Sequence, residues 1–210
     1  MMVMVPIFIA VEGIVDEAIA RRIVGVTGGT VSGVYGNRGK GWLQRQFGGY
    51  VKAAKRSPWF VLVDLDADCD RCARRLVEEW LAKTSEEKDS HLCFRIAVHA
   101  VESWLLADLE GVAEFLRIDQ KQLPQLPDEL QNPKETMVEL ARRSRRNDVR
   151  KDMAPPSGAQ RKTGRAYNSR LIEFARDYWD PWRAAKRSPS LDRALRCLKR
   201  MIQSATSSSQ

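Results

Sequence analysis

The chain has 210 residues, 43% of them hydrophobic, and a formal net charge of +8. That length suits one domain, or one domain with a substantial appendage, and the composition buries a core without disulfides or metals as staples. Four cysteines (Cys69, Cys72, Cys93 and Cys197) exclude a disulfide scaffold, and no apolar run approaches the ~20 residues of a membrane helix.

The start "MMVMVPIFIAVEG" lacks a basic leader and a small-residue cleavage site, so the expectation is a soluble, cytoplasmic protein with no membrane partner. Charge is unevenly spread. Residues 1–110 carry 14 Lys/Arg against 15 Asp/Glu, whereas residues 111–210 carry 21 against 12. A polyanion held by the second half and processed by the first is one reading. A basic surface that only confers solubility is the other.

In chain order, "MVPIFIAVEG" (4–13) is a continuous apolar run that predicts a buried strand of a parallel sheet. "DEAIARRIVG" (16–25) predicts a helix closed by Gly25. "GGTVSGVYGNRGKG" (28–41) is glycine-rich, with a short strand around 30–35. "WLQRQFGGYVKAAKR" (42–56) predicts a helix, "PWFVLVDLD" (58–66) a second buried strand and "CDRCARRLVEEWLAK" (69–83) an amphipathic helix. "LCFRIAVHA" (92–100) predicts a third strand and "VESWLLADLEGVAEFL" (101–116) a helix.

This alternation predicts an α/β layered domain over residues 1–118 with a mostly parallel sheet flanked by helices. A basic, mainly helical extension follows over 119–203, with helices at 133–144, 165–179 and 190–202. "RRNDVRKDMAPPSGAQRKTG" (145–164) is too polar and rich in Pro and Gly for a regular element, and the tail "SATSSSQ" (204–210) is expected to be disordered.

Acidic residues gather at strand ends. Glu12 closes the first strand, Asp64, Asp66 and Asp68 close the "WFVLV" strand, and Glu102 and Asp108 follow "LCFRIAVHA". Ligands of open parallel sheets bind outside the carboxyl ends of the strands. Carboxylates crowded there repel one another, and a divalent cation relieves the repulsion. If strand geometry persists through Asp66, the Asp64 and Asp66 side chains share one face. Asp70 is better explained as solvating the next helix start, a role also open to Asp68.

"FIAVEGIVDEAIARRIV" followed by "FVLVDLDAD" resembles the Toprim domain, the acidic α/β module of topoisomerases, primases, recombination proteins and OLD-family nucleases. Glu12 matches the Glu after the first strand of that family, and Asp64 with Asp66 matches its DxD. "AVHAVESWLLADLEG" resembles a group of small Toprim-like prokaryotic proteins related to the OLD nucleases, often encoded near mobile-element or phage-defence genes. The resemblance covers residues 5–116 and extends loosely to "NPKETM", "GRAY" and "SPSLDRAL".

It implies that Asp64 and Asp66 hold Mg²⁺ or Mn²⁺ and that Glu12 is a metal ligand or a general acid/base. It further implies that Asp16 assists a second metal and that Glu102 completes the shell, with Asp68 as a helper. Asp108 is read as a cap paired with a basic residue, and Trp104, Leu105, Leu106 and Leu109 as core.

"YGNRGKGW" (35–42) fails the phosphate-loop template, because no Gly sits five positions before Gly39 and Gly41 follows Lys40. Lys40 either contacts a scissile phosphate from above the acidic edge or lies in an exposed loop. Residues 142–170 hold ten basic side chains (Arg142, Arg143, Arg145, Arg146, Arg150, Lys151, Arg161, Lys162, Arg165 and Arg170) against Asp148 and Asp152. With Tyr167, Tyr178, Trp179 and Trp182 nearby, this run suits phosphate contacts and base stacking, although those aromatics also suit a core. The lone "CDRC" is no zinc or redox site without a second pair.

The leading expectation is a metal-dependent nuclease acting on DNA or RNA. Two others stay open: a Toprim-like binding or regulatory subunit that works with a partner such as an ATPase, and a phosphoryl-transfer enzyme acting on a nucleotide.

Overall fold

The computed structural model describes residues 4–65, 72–84 and 89–207. The strands are β1 (Val5–Val11), β2 (Gly29–Gly36), β3 (Trp59–Asp64) and β4 (Leu92–Ala97). The helices are α1 (Ile14–Val26), α2 (Lys40–Ala54), α3 (Ala73–Ala82), α4 (Val101–Leu106), α5 (Leu109–Leu116), α6 (Pro133–Arg142), α7 (Asn147–Met153), α8 (Tyr167–Asp177), α9 (Pro181–Ala185) and α10 (Pro189–Ser207).

The fold is α/β. Its four strands are parallel in the order β2-β1-β3-β4. Strand order reverses between β1 and β3: the chain leaves β1 toward β2 on one side and returns to β3 on the other. Right-handed crossovers then set α1 on one face and α2 with α3 on the opposite face. Side-chain alternation follows. Ile7, Ile9, Val11, Phe60, Leu62 and Cys93 pack on the α1 face. Ala10, Trp59, Val61, Val63 and Phe94 pack on the face of α2 and α3 with Phe47 and Trp80. Strands buried on both faces read as continuous apolar runs, which is why "VPIFIAV" and "WFVLV" were legible.

The core does not stop at residue 118. One apolar cluster joins β1, β3, β4 and α1 to Met137, Val149, Leu171, Phe174, Trp179 and Leu195 of the helical half. The Arg22 Nε donates to the Trp179 carbonyl at 3.2 Å across this contact. The C-terminal helices thus belong to the same body: α10 packs on β4 and β1, and α8 packs on α1.

Four local expectations are corrected. The helix expected over 101–116 is two helices, because Asp108 caps α5 by accepting from the Gly111 N–H at 3.1 Å. The stretch read as irregular contains α7, held by the fully buried pair Val149 and Met153 at i,i+4. A five-residue helix, α9, also escaped notice; Asp180 accepts from the N–H groups of Trp182 and Arg183 and Pro181 opens it. Finally, α10 runs through Ser204 to Ser207, where a disordered tail was expected. Buried Met201 and Ile202 anchor the preceding turn, and the Thr206 and Ser207 hydroxyls donate to the carbonyls of Ile202 and Gln203.

Candidate functional site

The site is built at the carboxyl edge where strand order reverses. Glu12 stands just past β1 and Asp64 is the last residue of β3. The Asp64 N–H donates to Glu12 Oε1 at 2.9 Å. The Val101 N–H, at the start of α4, donates to Asp64 Oδ1 at 3.0 Å. Three chain segments far apart in sequence are therefore tied together by two carboxylates.

The glycine-rich loop makes the fourth wall. Gly36 has φ +103, and a Cβ there would lie 2.0 Å from the Val11 carbonyl oxygen, so only glycine lets the loop close on β1. The N–H groups of Asn37 and Gly39 donate to the carbonyls of Val11 and Glu12, both at 3.0 Å. Asn37 also donates from Nδ2 to Glu17 at 2.8 Å. Burial raises the Glu17 pKa, but bonds from Asn37 and Arg21 outweigh it and leave the carboxyl below its ordinary value. Two N–H groups that a phosphate loop would offer a ligand are bound instead to strand ends. The loop delivers Lys40, whose Nζ donates to the carbonyls of Asp64 at 2.7 Å and Leu65 at 3.1 Å. Lys40 thus lies at the acidic edge and not in an isolated exposed loop.

Asp16 is buried in the first turn of α1. Its Oδ2 lies 3.2 Å from where a Gly13 Cβ would sit, so the carboxylate folds back over the β1–α1 turn. Glu102 is also buried, and the Tyr167 hydroxyl donates to its Oε1 at 3.3 Å. Burial, followed by the charge of Glu102, pushes the Tyr167 phenol well above its ordinary pKa. Glu102 is therefore the link between the strand-end site and α8. Asp66 and Asp68, with Asp70 and Cys69, lie outside the described residues.

Asp108 is part of the scaffold. It is fully buried and accepts from the Asp180 N–H at 2.8 Å and from Arg183 Nε and Nη2 at 2.5 and 2.8 Å. The hydrogen bond to Asp108 in turn raises the Arg183 pKa.

The basic run divides. Arg170 bonds Asp152, Asp148 and Glu173, and Arg146 pairs with Asp148 and Glu173 while covering the Phe115 ring at 5.2 Å. Arg150 Nη1 donates to the Ser144 carbonyl, and Nη2 to Asn147. Arg142, Arg150, Lys151, Arg161 and Arg165 nevertheless line one open groove of about 520 Å³. Arg143 and Arg145 are exposed elsewhere on that half. Tyr167 and Trp179 are core, whereas Trp182 is exposed.

Sequence reasoning missed a cavity of about 350 Å³ lined by His99, Ala100, Asn132, Lys134, Lys162 and Thr163. It adjoins the site through Ala100, the residue before Val101. His99 holds φ +63, a left-handed conformation that costs energy in a non-glycine residue. Lys162 was read as part of the basic run, and Asn132 and Lys134 lie in the quoted "NPKETM", but the lining comes from three separate segments that no local pattern connects.

Among the described residues no group of three or more His, Cys, Asp or Glu is close enough to enclose a metal ion. Glu12 and Asp64, joined through the Asp64 N–H, offer carboxylate oxygens of the kind a hard cation takes, and Asp16 carries a third carboxylate on the first turn of α1. Each carboxylate has about four lone-pair sites, so accepting one backbone N–H does not bar ligation. Cys93 is buried against Cys197 and its thiol is pushed well up, chiefly by burial, which makes it an inert core group.

The family model described as "Domain of unknown function (DUF4276)" matches residues 10–193. The chain belongs to this family. The DUF4276 match begins two residues before Glu12, spans every site residue named above and ends within α10. No curated protein matches the chain. Two solved structures are similar to it. One is the C-terminal region of the Burkholderia pseudomallei OLD protein, 18% identical with a TM-score of 0.45, over 95% of this chain and 100% of that one. The other is the C-terminal region of the Xanthomonas campestris pv. campestris OLD protein, 16% identical with a TM-score of 0.42, over 97% of each. No helix among the described residues is long and apolar enough to cross a membrane.

Proposed function

We propose that the chain is a Toprim-like nuclease that uses Mg²⁺ or Mn²⁺ to hydrolyse phosphodiester bonds of DNA or RNA, in prokaryotic defence against phage or mobile elements. One observation carries the reading: the Asp64 N–H bonded to Glu12 and the Asp64 carboxylate bonded to the Val101 N–H. These bonds gather acidic groups at a topological switch point, where α/β sheets bind ligands. The order of Glu12 and the Asp64–Asp66 pair along the chain, which resembles the Toprim pattern, supports it independently.

When bound at these carboxylates, a divalent cation supplies an acidified water and a Lewis acid for the phosphoryl oxygens. Glu12 and Asp64 would hold it, helped by Asp16 on the first turn of α1 and by Asp66 and Asp68, which lie outside the described residues. Glu12 alternatively moves the proton of the attacking water. The Lys40 ammonium, over the Asp64 and Leu65 carbonyls, neutralises charge that develops on the scissile phosphate. The groove of Arg142, Lys151, Arg161 and Arg165 holds flanking phosphates.

The test is cleavage of labelled single- and double-stranded DNA and RNA in Mg²⁺, in Mn²⁺ and in EDTA. Products should form only with metal and should vanish in Asp64→Asn. Equal cleavage by Asp64→Asn and wild type would sink the site. A second reading, phosphoryl transfer on a nucleotide, is favoured by the cavity of Lys134, Lys162, His99 and Thr163. Product analysis with nucleoside triphosphates separates the two.

A further inference from the structure

On the sheet face opposite α1, Phe8, Trp59, Tyr35 and Tyr50 form a connected set of rings. Phe8 stacks on Trp59 at 5.2 Å between centroids, Tyr50 stacks on Trp59 at 5.0 Å, and Tyr35 meets Trp59 at 5.0 Å. Tyr35 stands on β2, an edge strand of the sheet. Tyr35 is 44% exposed, while Tyr50 and Trp59 are 6% and 5% exposed beneath it. Phe8, Tyr35 and Trp59 line an open groove of about 630 Å³ with Lys52, Lys55, Arg56 and Ser57. All three basic residues are exposed, and no acidic residue is among those lining it.

The groove lies at the amino end of β3, where Trp59 opens the strand and Lys55, Arg56 and Ser57 precede it, whereas Asp64 closes the same strand at the acidic edge. Phe8 and Ala10 alternate onto one face of β1, Trp59 is the register partner of Phe8, and Tyr35 is the register partner of Ala10. A rigid ring backed by other rings, exposed and bordered by cations, is the arrangement that stacks an unpaired base while its phosphates meet Lys and Arg. A duplex offers no such face, because its bases are already stacked on one another.

We infer that this groove binds a single-stranded nucleic acid, stacking a base on Tyr35 and holding its backbone with Lys52, Lys55 and Arg56. The inference rests on the nuclease reading for the class of ligand and narrows it to unpaired strands.

The test uses the full chain in EDTA, so that binding is read without cleavage. Fluorescence anisotropy is measured with oligo(dT), oligo(U) and a duplex of equal length. Wild type should prefer the single strands. Tyr35→Ala should weaken them about fivefold or more, the low end of a lost stacking contact. Tyr35→Phe should bind as wild type, and Lys52→Glu with Arg56→Glu should weaken binding and flatten its salt dependence. Comparable dT and U affinities mean that the base face is read; a preference for U assigns a contact to the 2′-hydroxyl as well. Matching thermal unfolding of the variants excludes misfolding. Equal affinity of Tyr35→Ala and wild type, or tighter binding of duplex, overturns the inference. Failure of cleavage with single-strand binding intact counts against the acidic site and leaves the groove standing.

Discussion

Asp64 donates through its backbone to Glu12 and accepts through its carboxylate from Val101, so its charge and its shape can be tested apart. Asp64→Asn keeps an oxygen for Val101 but loses the charge; metal-dependent cleavage should fall by at least about 100-fold, with little change in unfolding temperature. Gly36→Ala separates structure from chemistry in the opposite sense. A left-handed residue costs ~1–3 kcal/mol by itself, and the added Cβ meets the Val11 carbonyl; circular dichroism should show a clear loss of stability. Tyr167 gives a pH signature. Its folded pKa is raised above the ordinary value of 10.0, so the folded state favours the neutral phenol. That stabilisation is complete below pH 10 and is lost as pH rises above it. Tyr167→Phe, which deprives Glu102 of its donor, should be less stable than wild type at neutral pH, and the gap should narrow above pH 10 in denaturant titrations. At this scale Glu12 and Asp64 were legible because each follows an apolar run. Arg146 and Arg170 were misleading, since their partners Asp148, Asp152 and Glu173 assemble only when α7 and α8 pack.

Strands and long amphipathic helices could be read from periodicity, and their ends were displaced by only a few residues. The break between α4 and α5 could not. The sequence showed Asp108 as a cap paired with a basic residue, but not that its cap divides the helix nor which base it meets, because Arg183 is 75 residues away. Asp108 joins the start of α5 to α9 in a buried setting, so breaking the pair leaves a charge unmatched. Asp108→Ala should cost about 3–5 kcal/mol, whereas Asp192→Ala, in an exposed i,i+4 pair with Arg196, should cost under about 1 kcal/mol. Chemical denaturation of the two variants checks the contrast.

Across the whole molecule, the division expected at residue 118 followed the end of the strand–helix alternation, a local pattern that does not report packing. The core ignores it: α1 and the sheet share one apolar cluster with α6 to α10. A fragment of residues 1–118 would expose that face and should fail to fold. The intact chain should unfold in one transition, with tryptophan fluorescence and far-ultraviolet dichroism coinciding. The same packing brings Tyr167 to Glu102 and the basic groove onto the body that carries the acidic edge. The central claim is that this edge binds a catalytic divalent cation. The most direct measurement is anomalous diffraction from crystals soaked in Mn²⁺. The account predicts a peak within ligating distance of the Glu12 and Asp64 carboxylates that disappears in Asp64→Asn; Mn²⁺-saturated crystals with no peak there would contradict it.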